Sequence, residues 1–353
     1  MPIFRAEELR KAGAAVLGAA GAPPEEALIV ARELVEANLV GHDSHGVIRI
    51  PQYVDSMRRG EIDPGRPVEI ANETAVALLL DGRWGFGQVI GHRAVDLAVA
   101  RAKGEGAGTG TGLAAVTIRN SNHIGRLGSY VEAVARRGLI GLLFANAHGA
   151  GPVVVPWGGR HGRLSTNPLA VGIPRDPDDP IVLDMTTSIV AEGKIRVKRN
   201  RGEQTPEGWI VDREGVPTTD PVAFYGPPRG GILPFGGSAG HKGFGLSVAV
   251  DLLAGALSGA GCTGTSDQVG NAVLLLVLDI AAFVPPADFE QEVGAFVSWI
   301  KSAPTAAGID EILVPGEIES RERARRRRDG IFVEDETWRQ ICEYGSELGL
   351  ELS

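Results

Sequence analysis

The segment GHDSHGVIRIPQY at 41–53 spaces His45, Arg49 and Tyr53 at i, i+4 and i+8. On a helix running from 44 to 59 all three would line one face. An imidazole titrates near neutral pH and can give or take a proton, a guanidinium grips a carboxylate through two parallel hydrogen bonds, and a phenol adds a hydroxyl. A polar helix face carrying an arginine ion pair would show the same pattern, so the spacing alone leaves both readings open. His42 and His45 also make an H-x-x-H pair, but no glutamate stands at metalloprotease spacing and no metal site is expected.

Further candidates lie at the ends of apolar runs. NSNHIG at 120–125 follows a run ending at Ile118, which places His123 on a strand-to-helix loop. It is either a second acid/base or a loop histidine satisfied by backbone. In LDMTTS at 183–188, Asp184 is followed by the hydroxyls of Thr186, Thr187 and Ser188. That set suits orienting an imidazole or capping a helix that meets phosphate, and equally an ordinary helix cap. His241 and Lys242 open a helix in HKGFG, a cation among small residues, which is the chemistry of phosphate binding. Gly85, Gly87 and Gly91 also follow an apolar strand and open a helix. Their spacing misses the dinucleotide fingerprint by one residue, and no acid closes a second strand about 20 residues on, so a closely packed turn is the other reading. The glycine-rich stretch 104–112 reads as a loop.

The elements that must hold these residues change character along the chain. Residues 5–20 and 24–40 read as amphipathic helices, the second opened by Pro23 and Pro24, and a third helix is expected over 44–59, capped by Asp43 or Ser44 and stopped by Gly60. From about residue 66, β-rich runs at 75–80, 113–118, 139–145, 181–184 and 273–279 alternate with helical ones at 88–103, 127–137, 242–258 and 287–302. A last helix is expected at 336–348. Residues 227–240 read as a long Gly/Pro-rich loop of the kind that serves function.

Composition bounds the class. The chain has 353 residues, 43% hydrophobic and 22% charged, enough for more than one core and far from a disordered composition. Its formal net charge of -9 argues against a nucleic-acid partner. The run of Arg323 and 325–328 stands beside Glu317, Glu319 and Glu322 and reads as a solvated helix face with ion pairs. Cys262 and Cys342 lack metal-knuckle or disulfide spacing, and the N-terminus has no apolar signal core. No apolar stretch is long and uncharged enough to span a bilayer. These features together point to a soluble, cytoplasmic protein.

Taken in order, DSHGVIRIPQY at 43–53, NSNHIG at 120–125, STNPLAVGIP at 165–174, LDMTTSIVAEGKI at 183–195, LPFGG and HKGFGL between 233 and 246, and VPGE at 314–317 resemble the malate/L-lactate/ureidoglycolate dehydrogenase family. That family also includes diketogulonate, sulfolactate and cyclic-imine reductases. The resemblance covers nearly the whole chain. It implies an α/β (α+β), non-Rossmann fold: a largely antiparallel sheet domain binding NAD or NADP, with a helical domain built from both chain ends. The expected division is 1–65, completed by 318–353, against 66–317. This overrides the parallel sheet that alternating strands and helices would suggest.

The resemblance also implies roles. His45 would donate a proton to the substrate oxygen, with Ser44 and Asp184 holding it in a relay, and His123 is the second candidate for that role. Arg49 and Tyr53 would hold a substrate carboxylate. Cofactor contacts would fall on Asn167, on Met185, Thr186, Thr187 and Ser188, on His241 and Lys242, and on Gly316 and Glu317. A homodimer acting on a small 2-hydroxy or 2-oxo acid is implied, with a cyclic 2-imino acid as the alternative substrate and a non-catalytic ligand-binding protein as a further rival. Asn146-Ala147 stands where many members have Asn-Ser, which removes one expected hydroxyl and leaves NAD against NADP open.

Overall fold

The computed structural model describes residues 2–105, 110–149, 151–176, 179–266 and 268–352. The expected loop at 104–112 therefore lies partly outside the described residues. Seven strands form the main sheet: β1 (Glu69–Glu73), β2 (Ala77–Asp81), β3 (Leu113–Ser121), β4 (Leu139–His148), β5 (Leu169–Ile173), β6 (Ile181–Met185) and β7 (Gly270–Asp279). Their spatial order is β1-β2-β3-β7-β4-β5-β6. Every neighbouring pair is antiparallel except β2 and β3. The last strand in sequence, GNAVLLLVLD, thus enters the middle of the sheet. Its near-continuous apolar run is what burial on both faces requires.

The longer helices are α1 (Ala6–Ala19), α2 (Pro24–Leu39), α3 (Ile50–Arg58), α4 (Gly87–Lys103), α5 (Gly128–Ala135), α6 (Glu192–Asn200), α7 (Gly240–Asp251), α8 (Pro286–Lys301), α9 (Glu317–Asp329) and α10 (Asp335–Glu347). One face of the sheet is covered by α4 and α5, where Ile90, Val95 and Val131 meet Leu80, Val116 and Leu275 in a single buried cluster. On the other side, α7 and the π-helical turn Leu252–Ala256 lie against β4 and β7. A second core joins the chain ends: Leu9, Val16, Leu34 and Ile50 pack with Ile331 and Ile341, and Ile3–Phe4 pairs antiparallel with Ile331–Phe332. A third, small core of Val154, Ile195, Ile210, Phe224 and Ile232 supports a three-stranded sheet of two-residue strands. The sequence pattern does not foreshadow this unit, because strands so short leave no periodicity to read. Its strand Gly231–Ile232 and a turn at Gly237–Ala239 also give structure to the expected long loop at 227–240.

The expected helix over 44–59 is divided. Asp43–His45 and Val47–Arg49 are two 3₁₀ turns separated by Gly46 in an extended conformation, and the α-helix begins only at Ile50. The cause is Asn38 on α2, 4% exposed. Its Oδ1 accepts the Val47 amide at 2.9 Å and its Nδ2 donates to Asp43 Oδ1 at 2.7 Å, so one side chain ties both turns. The arginines of α9 are engaged by carboxylates of the same chain: Arg323 by Glu132 and Glu36, Arg326 by Asp43 and Glu322, Arg325 by Glu322, and Arg327 by Glu36. The arginine run thereby docks α9 on α2 and on the turn that carries His45.

Candidate active site

Because the helix is broken at Gly46, His45 and Tyr53 do not share a continuous helical face. They meet through His123 instead. The loop that carries His123 leaves β3 and is fixed at both ends, by Ile124 N donating to Asn271 Oδ1 at 2.9 Å and Asn122 Nδ2 donating to the Glu61 carbonyl at 2.8 Å. His123 Nε2 lies 3.3 Å from His45 Nδ1, with the two rings parallel to within 5°, and His123 Nδ1 lies 2.7 Å from the Tyr53 hydroxyl. Gln88 Nε2 donates to the same hydroxyl at 2.7 Å. Gln88 sits in the glycine turn at 85–91, where Gly87 lets the start of α4 approach the His123 carbonyl so closely that a Cβ would clash. The turn is therefore a packing device, as one of its two sequence readings has it.

Burial and positive charge act together on the two imidazoles. Burial pushes His45 down to about 3, helped by the charges of Arg49, His42 and Arg126. His123 is also held well below its ordinary value, by burial and then by Arg49 and His45. Both rings are neutral near pH 7. Tyr53, 1% exposed, is pushed up by burial to about 12. Its hydroxyl faces His123 and Gln88, which differs from the expected role of gripping a carboxylate.

Arg49 folds back across the turn, its Nε donating to the Ser44 carbonyl at 2.7 Å and its Nη1 to Gln52 Oε1 at 2.6 Å. Both partners are neutral. Among the described residues no carboxylate forms an ion pair with it, although Glu192 at the start of α6 contributes to its field. Gly193 brings α6 against the turn, where a Cβ would stand 3.6 Å from that of Ser44.

Asp184 differs from expectation. Its Oδ2 accepts the Gly128 amide at 2.7 Å and faces Arg126 Nε at 3.8 Å, while the ring partner of His45 is His123. The physical reason is Arg126, a guanidinium 5% exposed that draws Asp184 and Glu132 to itself. Asp184 thus braces the loop and helix start that follow His123.

The candidate cofactor residues divide into scaffold and surface. Asn167 is fully buried at a positive φ of 35°, with Nδ2 donating to Asp251 Oδ2 at 3.0 Å and to the Ser247 carbonyl at 3.0 Å. Asp251 also accepts from Asn146 Nδ2 at 2.8 Å and Thr263 Oγ1 at 2.7 Å. Thr187 donates to the Thr166 and Asn167 carbonyls, and Ser188 to the Val190 carbonyl. These side chains are spent inside the protein, so they shape the loop instead of presenting hydroxyls from it. Thr186 and Met185 remain partly exposed, and Ile189 N pairs with the Leu233 carbonyl and Phe235 N with the Thr187 carbonyl. That pairing brings 185–190 beside the loop leading to His241 and Lys242, both exposed at the start of α7. Gly243 is needed there, since a Cβ would overlap the Phe235 carbonyl. An exposed lysine and free amides at a helix start suit a phosphate group. Gly316 and Glu317 lie against β6, with Val182 N bonded to the Pro315 carbonyl at 3.1 Å. Burial opposes ionisation of Glu317, but Lys301 at 2.6 Å, the Val314 amide and Arg175 hold its carboxyl below the ordinary range. Among the described residues no group of three His, Cys, Asp or Glu is placed to hold a metal ion.

Residues 4–342 match the family model described as malate/L-lactate dehydrogenase. The chain belongs to the malate/L-lactate dehydrogenase family. It is 36% identical to hydroxycarboxylate dehydrogenase B of Escherichia coli, over 98% of this chain and 94% of that one. The fold matches malate dehydrogenase from Pyrococcus horikoshii with a TM-score of 0.88 at 32% identity, covering 100% of this chain and 97% of that one. It also matches delta1-piperideine-2-carboxylate reductase from Pseudomonas syringae, with a TM-score of 0.83 at 30% identity, covering 98% and 100%. This dehydrogenase is therefore a pyridine-nucleotide-dependent enzyme of the hydroxy-acid type, with the mixed, mostly antiparallel sheet expected of the family. Two members of its site escape the sequence reading. Gln88 lies inside the glycine turn, and Arg126 follows the NHIG motif directly. The only signal for either was its adjacency to a motif.

Proposed function

We propose that this enzyme transfers a hydride between a nicotinamide dinucleotide and C2 of a small 2-hydroxy or 2-oxo acid. The observation that carries the reading is Arg49, a partly buried cation held by neutral oxygens beside the hydrogen-bonded His45 and His123. A substrate carboxylate would supply the missing negative charge through a two-pronged hydrogen bond. The adjacent C2 oxygen would then stand within reach of His45, which delivers the proton on reduction and takes it back on oxidation.

NAD or NADP supplies the hydride chemistry when bound. Lys242 and His241 at the start of α7 would hold its phosphates, the 185–190 segment would line its bed, and Gly316 and Glu317 would close one side. Names of relatives as malate, lactate and sulfolactate dehydrogenases support a 2-oxo acid. The second reading is a cyclic 2-imino acid, supported by the match to the piperideine-carboxylate reductase, and it uses the same Arg49 clamp with the proton going to nitrogen. A homodimer is the proposed assembly, supported by the exposed aromatic face of α8, and a cytoplasmic setting fits two free cysteines. Among the described residues no helix is long and apolar enough to cross a membrane.

The test is Arg49→Ala, assayed on a 2-oxo acid and on its neutral amide. Removing one partner of a desolvated charge pair typically costs about 2–5 kcal/mol, so kcat/KM on the acid should fall roughly 30-fold to several-thousand-fold. The amide should lose far less, and Arg49→Lys should recover only part because an ammonium lacks the planar fork. Equal losses on acid and amide would assign Arg49 to structure and remove the carboxylate clamp.

A further inference from the structure

We propose that Tyr53, His123 and His45 form a proton relay whose resting hydrogen bonds all donate in one sense, and that Gln88 fixes this sense as a positioning residue. The inference rests on reading His45 as the donor to the C2 oxygen and extends that reading to the source of the proton.

The direction follows from counting protons along the chain. Gln88 is 1% exposed, and its amide nitrogen donates to the Tyr53 oxygen at 2.7 Å. An amide nitrogen cannot accept, so the hydroxyl spends its own proton on its other partner, His123 Nδ1 at 2.7 Å. His123 then has Nδ1 bare and its one proton on Nε2, which faces His45 Nδ1 at 3.3 Å. His45 Nδ1 accepts, which leaves the proton of that ring on Nε2. Among the described residues no protein group hydrogen-bonds His45 Nε2. Each ring must hold one proton for this order to stand, and burial with the nearby Arg49 charge keeps both neutral. Gln88, Tyr53, His123 and His45 thus donate in one sense, outward toward the substrate.

A neutral imidazole acting alone would have to become an imidazolate to protonate an alkoxide. The relay avoids this. As hydride adds to C2, the substrate oxygen takes the proton of His45 Nε2, His45 Nδ1 takes that of His123 Nε2, and His123 Nδ1 takes that of the Tyr53 hydroxyl. Three bonds to hydrogen break and three form, and both rings finish neutral in the opposite tautomer. The negative charge that arrived with the hydride finishes on the Tyr53 oxygen, where burial opposes it and pushes the phenol up to about 12, while the Arg49 charge and the donating Gln88 amide offset part of that penalty. Once the product leaves, a solvent proton entering at the bare His45 Nε2 drives the transfers back, from His45 Nδ1 to His123 Nε2 and from His123 Nδ1 to the Tyr53 oxygen, and so restores the phenol and both tautomers. Oxidation of the hydroxy acid runs the same transfers in reverse. Burial of Tyr53 in the helical core, with its hydroxyl turned to His123, places it as the inner end of the relay and not as a substrate ligand.

The first test is spectroscopic and uses the cofactor-free protein labelled with 15N-histidine, since protonated and bare ring nitrogens differ widely in chemical shift. His45 and His123, assigned through His45→Gln and His123→Gln, should both carry their proton on Nε2. A proton on Nδ1 of either ring in the wild type overturns the proposal. In Gln88→Met, which keeps the bulk and removes the donor, both tautomers should become populated and the shifts should average. An unchanged spectrum would remove Gln88 from its assigned role. The second test is kinetic. With Tyr53→Phe, kcat for a 2-oxo acid should drop about 100-fold, within the range of general acid catalysis, while KM stays within about 2-fold. A rise in KM with kcat intact would make Tyr53 a substrate ligand and overturn the relay. Should the wild type oxidise no reduced nicotinamide cofactor at all, the proposed function falls while the tautomer spectra still decide the relay's polarity.

Discussion

At the scale of single residues, the two histidines and Arg49 set the electrostatics of the site. A neutral ring that resists protonation when folded makes the folded chain bind fewer protons than the unfolded chain at any pH below the ordinary histidine value near 6.5. The stability linked to His45 is then fully present above about pH 6.5 and is lost as pH falls from there toward about 3. His45→Gln removes that titration, so its thermal midpoint should fall less steeply than the wild type's between pH 6.5 and 4. Melting curves of the two proteins at matched ionic strength check this, and parallel pH profiles would show that His45 is not held neutral by the fold. His45, Arg49 and His123 are legible in the sequence because imidazole and guanidinium announce their chemistry by type, whereas the four-residue spacing of the first two presumes a helix that is broken at Gly46. Gln88 is not legible, since an amide has no titration to flag and its role comes from partners at positions 53 and 123. The expected bond from Asp184 to His45 fails for a similar reason. Nothing in the sequence shows that Arg126 is buried and claims that carboxylate.

At the scale of elements, the site depends on a helix that stops short. Residues 44–59 have a helical pattern, and Pro51 at the start of α3 is compatible with one. What divides the segment is Asn38, which lies on another helix and so cannot be inferred from local periodicity. Gly46 has an ordinary negative φ, and its requirement is space: a Cβ would come closer than 3.0 Å to the Asn38 amide. Gly46→Ala should push Asn38 away from Val47 N and Asp43, loosen both turns, and cost about 1–3 kcal/mol, typical of an overpacked site. Chemical denaturation should report that loss, and activity should fall with it because His45 and Arg49 flank the substituted residue. A variant as stable and active as the wild type would show that the Asn38 clamp is dispensable. Five strands of the main sheet are legible within a few residues, since β2, β3, β4, β6 and β7 are apolar runs of ordinary length, whereas β1 and β5 are not among the expected runs. The strand order is not legible, because the central position of β7 is settled by pairing across more than a hundred residues.

At the scale of the whole molecule, the N- and C-terminal segments share one helical core, and α8 carries an apolar surface that the chain itself leaves uncovered. Trp299 is 71% exposed and stacks on Phe296, with Phe283 nearby in sequence at the turn before α8, also 69% exposed. An aromatic surface of this kind on a folded protein is normally covered by a partner. In sedimentation experiments the wild type should run as a dimer, and Trp299→Asp should shift it toward monomer. A wild-type monomer at micromolar concentration would contradict the proposed assembly. Hydride transfer to a 2-oxo acid, on which every role assigned above depends, is tested most directly by following the reduced-nicotinamide absorbance with the wild-type enzyme. NADH and NADPH are each run against a panel of 2-oxo acids, their amides and cyclic 2-imino acids. Cofactor oxidation is expected with at least one 2-oxo acid, with its amide a far poorer substrate. Turnover confined to cyclic imines, or turnover of acid and amide alike, would contradict it.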